Sequence, residues 1–137
     1  MSNEQLPVPA WSTEAGRTSI RPAFPRESSN EALDRTLISE RINRYGWAFD
    51  ERRLDQLVDC FTADGIWEGS VMGLESFGPF VGREQIREFM ADFFPQQTDQ
   101  RRHQFSNFVI DFEAPDRAIA HAYLALWGSE NDHTTIV

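Results

Sequence analysis

Apolar residues recur at three- and four-residue intervals through Leu33, Leu37, Ile38, Ile42 and Tyr45, which predicts a helix over residues 31–48. Ser29 or Asn30 can cap it, and Glu31 and Asp34 suit its positive end. Leu54, Leu57, Val58 and Phe61 form a second helical stripe, which Asp50 opens. Asp64-Gly65 is a turn, and Ile66-Trp67-Glu68 reads as a short strand. Gly69, Gly73, Gly78, Pro79 and Gly82 mark a looping stretch that holds Phe80-Val81 as a brief strand. A third helix is expected over 83–94, burying Ile86, Phe89, Met90, Phe93 and Phe94 and stopping at Pro95. The period then changes. Residues 103–113 and 117–127 are rich in aromatic and β-branched types and are joined by Ala114-Pro115-Asp116, as an antiparallel pair requires. Gly128 to Asp132 is another turn, and Thr134–Val137 begins a third strand. Helices followed by antiparallel strands make an α+β fold: three helices lie on one side of a curved sheet and close a pocket in its mouth.

Length narrows this to one domain, since the chain has 137 residues. Residues 1–30 carry four of the seven prolines and no period, and read as an extended arm or a disordered tail. As an arm, they would clasp a partner through Trp11, Ile20 and Phe24; the domain proper is 31–137. The net charge of −9 argues against nucleic acid as a partner. All thirteen basic residues are Arg, which excludes lysine Schiff-base chemistry and the Lys-bearing phosphate loop. The single Cys60 cannot form an internal disulfide and reads as a small core residue. No secretory signal or membrane-length apolar run is visible, so a cytoplasmic location and no membrane contact are expected.

Candidate chemistry rests on few residues. His133 lies in a polar turn. His121 shares a strand face with Tyr123, Ala125 and Trp127, and His103 shares one with Phe105, Asn107, Val109 and Asp111. Asp50 either caps the second helix or points its carboxylate into the space between helices and sheet. A carboxylate beside an imidazole there would fix one tautomer and make a general base. The His and Cys spacings match no metal motif, and no nucleotide-binding or serine-hydrolase signature is present. Neither metal nor cofactor is expected.

The segments Phe61-Thr-Ala-Asp-Gly-Ile-Trp67, Gly82-Arg-Glu-Gln-Ile86 and Arg102-His103-Gln-Phe-Ser-Asn107 together resemble the SnoaL-like branch of the nuclear-transport-factor-2-like superfamily. The resemblance spans about residues 33–137 and implies a cystatin-like half-barrel with further strands beyond Val137. In the scytalone dehydratase and hexachlorocyclohexane dehydrochlorinase of this branch, an Asp–His dyad acts; by similarity it falls on Asp50 and His103. The resemblance also implies Tyr45 and Trp67 as pocket wall and a strand entrance running from His103 to Asn107. Phe61, Met90, Phe94, Phe105 and Trp127 complete the expected wall. Two departures stand out: Trp127 or a near neighbour occupies the place of a second catalytic His, and Phe49 replaces a tyrosine before the Asp. The implied function is acid–base chemistry of the dehydratase, isomerase or cyclase type on a small apolar, cyclic substrate. The alternative is a non-catalytic ligand-binding or structural subunit, like the β subunits of ring-hydroxylating dioxygenases. A homodimer or higher oligomer is expected, paired through Phe108, Ile110, Phe112, Leu124 and Leu126 unless these form the core.

Overall fold

The computed structural model describes residues 29–71 and 75–136. The arm expected over residues 1–30, with Trp11, Ile20 and Phe24, lies almost wholly outside the described residues. Helix α1 runs Ser29–Asp50, α2 Leu54–Val58, β1 Ile66–Val71, β2 Glu75–Val81, α3 Gly82–Phe93, β3 Gln100–Ala114, β4 Arg117–Glu130 and β5 His133–Ile136. β1 and β2 form an antiparallel hairpin, and β3-β4-β5 form an antiparallel sheet in that order. The architecture is α+β with a curved sheet, as expected.

α1 lies across β3, α3 lies across the β1–β2 hairpin, and α2 touches both helices. The core sits where the three helices meet. Ala48 and Phe49 of α1, Leu57 and Val58 of α2, Ile86 and Met90 of α3, and Phe94 in the 3-10 turn after α3 are all buried there. Leu57, Ile86 and Met90 have no exposed surface. Leu33 and Leu37, expected on the buried face of α1, are instead more than half exposed at 57% and 56%.

Three local features depart from the sequence pattern, each for a physical reason. The first is at Asp50, which does not open α2. It belongs to the last turn of α1, and Arg53 stands at the α2 N-cap without a side-chain cap. α1 ends instead in a Schellman motif. Arg53 N–H donates to Ala48 O at 2.7 Å and Arg52 N–H donates to Phe49 O at 3.0 Å. Arg52 holds the left-handed conformation (φ 53°) usually taken by glycine, and its guanidinium donates to Gln97 O at 2.8 Å.

Second, Gly69, Gly78 and Pro79, expected in a looping stretch, lie in the strands of the hairpin, with Gly69 opposite Phe77 and Trp67 opposite Phe80. Gly78 tolerates no side chain: its φ is +86°, and a Cβ would lie 2.7 Å from the carbonyl oxygen of Trp67.

Third, β3 carries a bulge between Ser106 and Val109, with Asn107 at φ 54°. The extra residue reverses the faces beyond it. His103 and Phe105 therefore share the helix-facing side with Ile110 and Phe112, not with Val109 and Asp111. Cross-strand pairing places Leu126, Leu124 and Ala120 on that side, opposite His103, Phe105 and Ile110. Ile110, Phe112, Leu124 and Leu126 thus belong to the inner face. The outer face presents Val109, Ile119, Tyr123 and Trp127. Among the described residues no helix is long and apolar enough to cross a membrane.

Candidate active site

The site forms where the end of α1 meets the start of β3. Gly46 allows this approach, because a Cβ there would stand 2.9 Å from the Phe105 ring and 3.1 Å from His103 Cβ. One turn later, Asp50 reaches His103. Its Oδ1 lies 2.6 Å from His103 Nδ1, and its Oδ2 accepts the His103 backbone N–H at 2.8 Å. Both side chains are buried, 4% exposed for Asp50 and 7% for His103. Gln100 Nε2 donates to Asp50 O at 3.2 Å, and Arg102 pairs with Glu51 at 3.2 Å, so the same register is held on either side of the dyad.

A carboxylate in the last turn of a helix faces the negative end of the macrodipole, which costs ~0.3–1 kcal/mol. Burial adds to that cost. Helix stability therefore does not explain Asp50; the two N–H donors of His103 do. With the carboxylate ionised, Nδ1 must carry the hydrogen of the shared bond, so Nε2 is left with its lone pair.

His103 lines a cavity of about 800 Å³ between α1, the hairpin, α3 and the sheet. The wall is mainly aromatic: Tyr45, Phe49, Phe61, Trp67, Phe77, Phe89, Phe93 and Phe105 line it, with Leu124 and Leu126 on the sheet side. Phe49 stands 4.5 Å from the His103 ring between centroids, and Tyr45 meets that ring edge-on at 6.4 Å. Trp67 Nε1 donates to Tyr45 Oη at 2.7 Å, which leaves the phenolic hydrogen free to donate elsewhere. Burial pushes the Tyr45 phenol up to about 12, partly countered by the Trp67 bond. Tyr45 is therefore a neutral donor at physiological pH.

Of the expected site residues, Asp50, His103, Tyr45, Phe61, Trp67 and Phe105 come together here. The other four do not. Met90 and Phe94 lie in the helix core behind Phe49, not on the cavity wall. Asn107 is exposed in the bulge. Trp127 is on the outer face opposite Arg102 and donates to Gln104 Oε1 at 3.2 Å. His121 also faces outward, paired with Val109, and His133 is exposed in β5. Cys60 is not a core residue: it is half-buried on the cavity wall, donates to Gln56 O at 3.4 Å, and burial pushes its thiol pKa up. Sequence reading missed Phe77, Phe89, Phe93, Arg41 and Arg101 as wall residues. Phe89 and Phe93, four apart on α3, carried the only signal, and it could not separate cavity wall from core. Among the described residues no cluster of His, Cys, Asp and Glu could hold a metal.

Comparison with known proteins places the chain in a family. No curated protein matches the chain. A structure from Catenulispora acidiphila in complex with S-DNPA is 26% identical, with a TM-score of 0.65 over 77% of this chain and 75% of that one. A Nostoc punctiforme protein of cystatin-like fold is 20% identical, with a TM-score of 0.60 over 77% and 86% of the two chains. The β subunit of benzoate 1,2-dioxygenase from Burkholderia mallei is 15% identical, with a TM-score of 0.57 over 72% and 70%. The last two likenesses show the fold alone. The SnoaL-like domain model matches residues 30–137, nearly the whole described chain, and the chain belongs to that family.

Proposed function

We propose that the chain is a pocket enzyme that moves protons on a small cyclic substrate through the Asp50–His103 dyad, as a dehydratase, isomerase or cyclase does. The observation that carries this reading is the 2.6 Å contact between Asp50 Oδ1 and His103 Nδ1, buried beside an aromatic cavity. The carboxylate bonds the His103 ring as well as its backbone at an unfavourable helix C-terminus, which favours catalysis over a supporting subunit. The S-DNPA complex of a relative supports a small-molecule ligand for the cavity.

In the proposed reaction, His103 Nε2 takes a proton from a carbon next to a carbonyl or leaving group. Asp50 offsets the charge of the imidazolium that forms. The Tyr45 hydroxyl donates to the substrate oxygen on which negative charge develops. The imidazolium then returns its proton to another position of the substrate or to the departing group. Aromatic walls keep water from competing. These groups suffice without a cofactor.

The proposed setting is cytoplasmic, with a homodimer paired across the outer face, where Tyr123 and Trp127 are 70% and 37% exposed. Gel filtration at two concentrations should give a dimer; a single monomeric peak would rule it out. The catalytic reading is tested by His103→Ala, which should abolish turnover while leaving circular dichroism unchanged. Full activity in that variant would overturn the reading.

A further inference from the structure

The oxygen of the Tyr45 phenol has two sides, and one is taken. Trp67 Nε1 donates to it at 2.7 Å. A phenolic O–H lies in the ring plane and points to either side of the oxygen, so a donor on one side turns the hydrogen to the other. Among the described residues that hydrogen has no acceptor. Tyr45 lines the aromatic cavity and meets the His103 ring edge-on at 6.4 Å between centroids. The open acceptor place is therefore one for a ligand's oxygen, held beside the base.

The indole that makes this bond is fixed from three sides. Phe80 faces Trp67 across the hairpin, its ring 6.0 Å away and tilted by 31°. Phe89 of α3 lies 5.0 Å from the indole and stacks on Phe80 at 4.2 Å. Gly69 closes the third side, since a Cβ there would stand 3.0 Å from Trp67 Cη2. The stacks need only a flat ring. What the indole adds is its N–H, and that N–H goes to Tyr45. Accepting it also strengthens what Tyr45 gives, because each member of a hydrogen-bond chain polarises the next. Burial raises the Tyr45 pKa and the Trp67 bond pulls it partly back, so the phenol is a better donor than burial alone would leave.

We infer that Trp67 is a positioning residue for the proposed reaction: acting through Tyr45, it turns the phenolic hydrogen toward the substrate oxygen and strengthens it as a donor. This rests on the catalytic reading above and deepens it, extending the machinery from α1 and β3 to the hairpin.

The test is a double-mutant cycle on the full chain, read as catalysed uptake of deuterium by the bicyclic ketone 2-tetralone in D2O. Trp67→Phe should slow the catalysed exchange about 3–10-fold, as loss of one neutral hydrogen bond allows. In a Tyr45→Phe background the same substitution should change it by less than about twofold, because its target is gone. A second readout needs no turnover. The Trp67 indole N–H resonance, identified by its loss in Trp67→Phe, should move upfield in Tyr45→Phe. If circular dichroism shows that Trp67→Phe loosens the fold, benzothienylalanine at position 67 keeps the bicyclic ring and removes only the donor, with the same expectation. Equal losses in both backgrounds, or an indole resonance indifferent to Tyr45→Phe, would overturn the role of Trp67 and leave the catalytic reading standing. No acceleration of exchange by the unaltered chain would overturn both.

Discussion

Replacing Asp50 by Asn changes one atom and should reverse the proton position on His103. The carboxylate accepts two N–H groups, from the imidazole at 2.6 Å and from the backbone at 2.8 Å. An amide offers one oxygen and one NH2 group. The backbone N–H can only donate, so the amide oxygen must stay with it. The NH2 then faces Nδ1, which must become the acceptor, and the ring hydrogen moves to Nε2. The nitrogen proposed to take the substrate proton is thereby blocked. Hydrogen bonds to charged groups contribute ~1.5–3 kcal/mol and neutral ones ~0.5–1.5. Exchanging both costs about 2 kcal/mol, and removing a charge from the helix C-terminus returns ~0.3–1 kcal/mol. Asp50→Asn should therefore lower stability by only about 1–2 kcal/mol in urea unfolding. Turnover should fall ~10²–10⁴-fold, the contribution of a positioned general base. Long-range 1H–15N correlation of the imidazole at mildly alkaline pH reads the tautomer directly. The unaltered chain should show the Nδ1–H form and the variant the Nε2–H form. An Nε2–H tautomer in the unaltered chain, or no change on substitution, would refute the reasoning.

Three further outcomes follow from the geometry. Tyr45 has its phenol raised from 10.0 to about 12 by burial. The folded state thus holds its proton more tightly than the unfolded state, so this contribution is complete below pH 10 and is lost as pH rises toward 12, on the order of 2–3 kcal/mol. With Tyr123→Phe leaving a single tyrosine among the described residues, ultraviolet titration should show late ionisation, and a midpoint at the ordinary tyrosine value would contradict burial. Gly46→Ala should gain ~1 kcal/mol of helix propensity but lose ~1–3 kcal/mol to overpacking against Phe105 and His103, 2.9 and 3.1 Å away. Its turnover should drop as β3 is pushed from Asp50, and unchanged activity would mean that the close approach is unimportant. Met90→Ala should cost ~2–5 kcal/mol in chemical denaturation with little effect on ligand affinity, because Met90 is fully buried in the core; a large affinity loss would return it to the cavity wall.

Much of the fold was legible because the hydrophobic period is strong where packing is regular. α3 buries Ile86 and Met90 on the expected face, and β3 and β4 pair across the expected turn. What was hidden depended on single residues acting against type. Arg52 ends α1 where glycine would have signalled the stop, so Asp50 read as the opening of a helix. Asn107 introduces a bulge that reverses the faces of half a strand, so Val109 and Asp111 were assigned to the wrong side. The glycines and Pro79 of the hairpin masked two paired strands. At the site, residue types alone left Asp50 and His103 among several options, and the family motif singled them out. Local pattern could not separate core from cavity, since two adjoining apolar stripes of α3 have different destinations: Ile86 and Met90 enter the core, and Phe89 and Phe93 line the cavity.

Exchange of carbon-bound hydrogen tests proton abstraction most directly. 2-Tetralone, an aromatic bicyclic ketone with acidic hydrogens beside its carbonyl, is incubated in D2O with the unaltered chain or with His103→Ala, and deuterium uptake is followed by NMR. The unaltered chain should accelerate exchange well above buffer, and His103→Ala should not. Equal rates for the two proteins would contradict a base at His103.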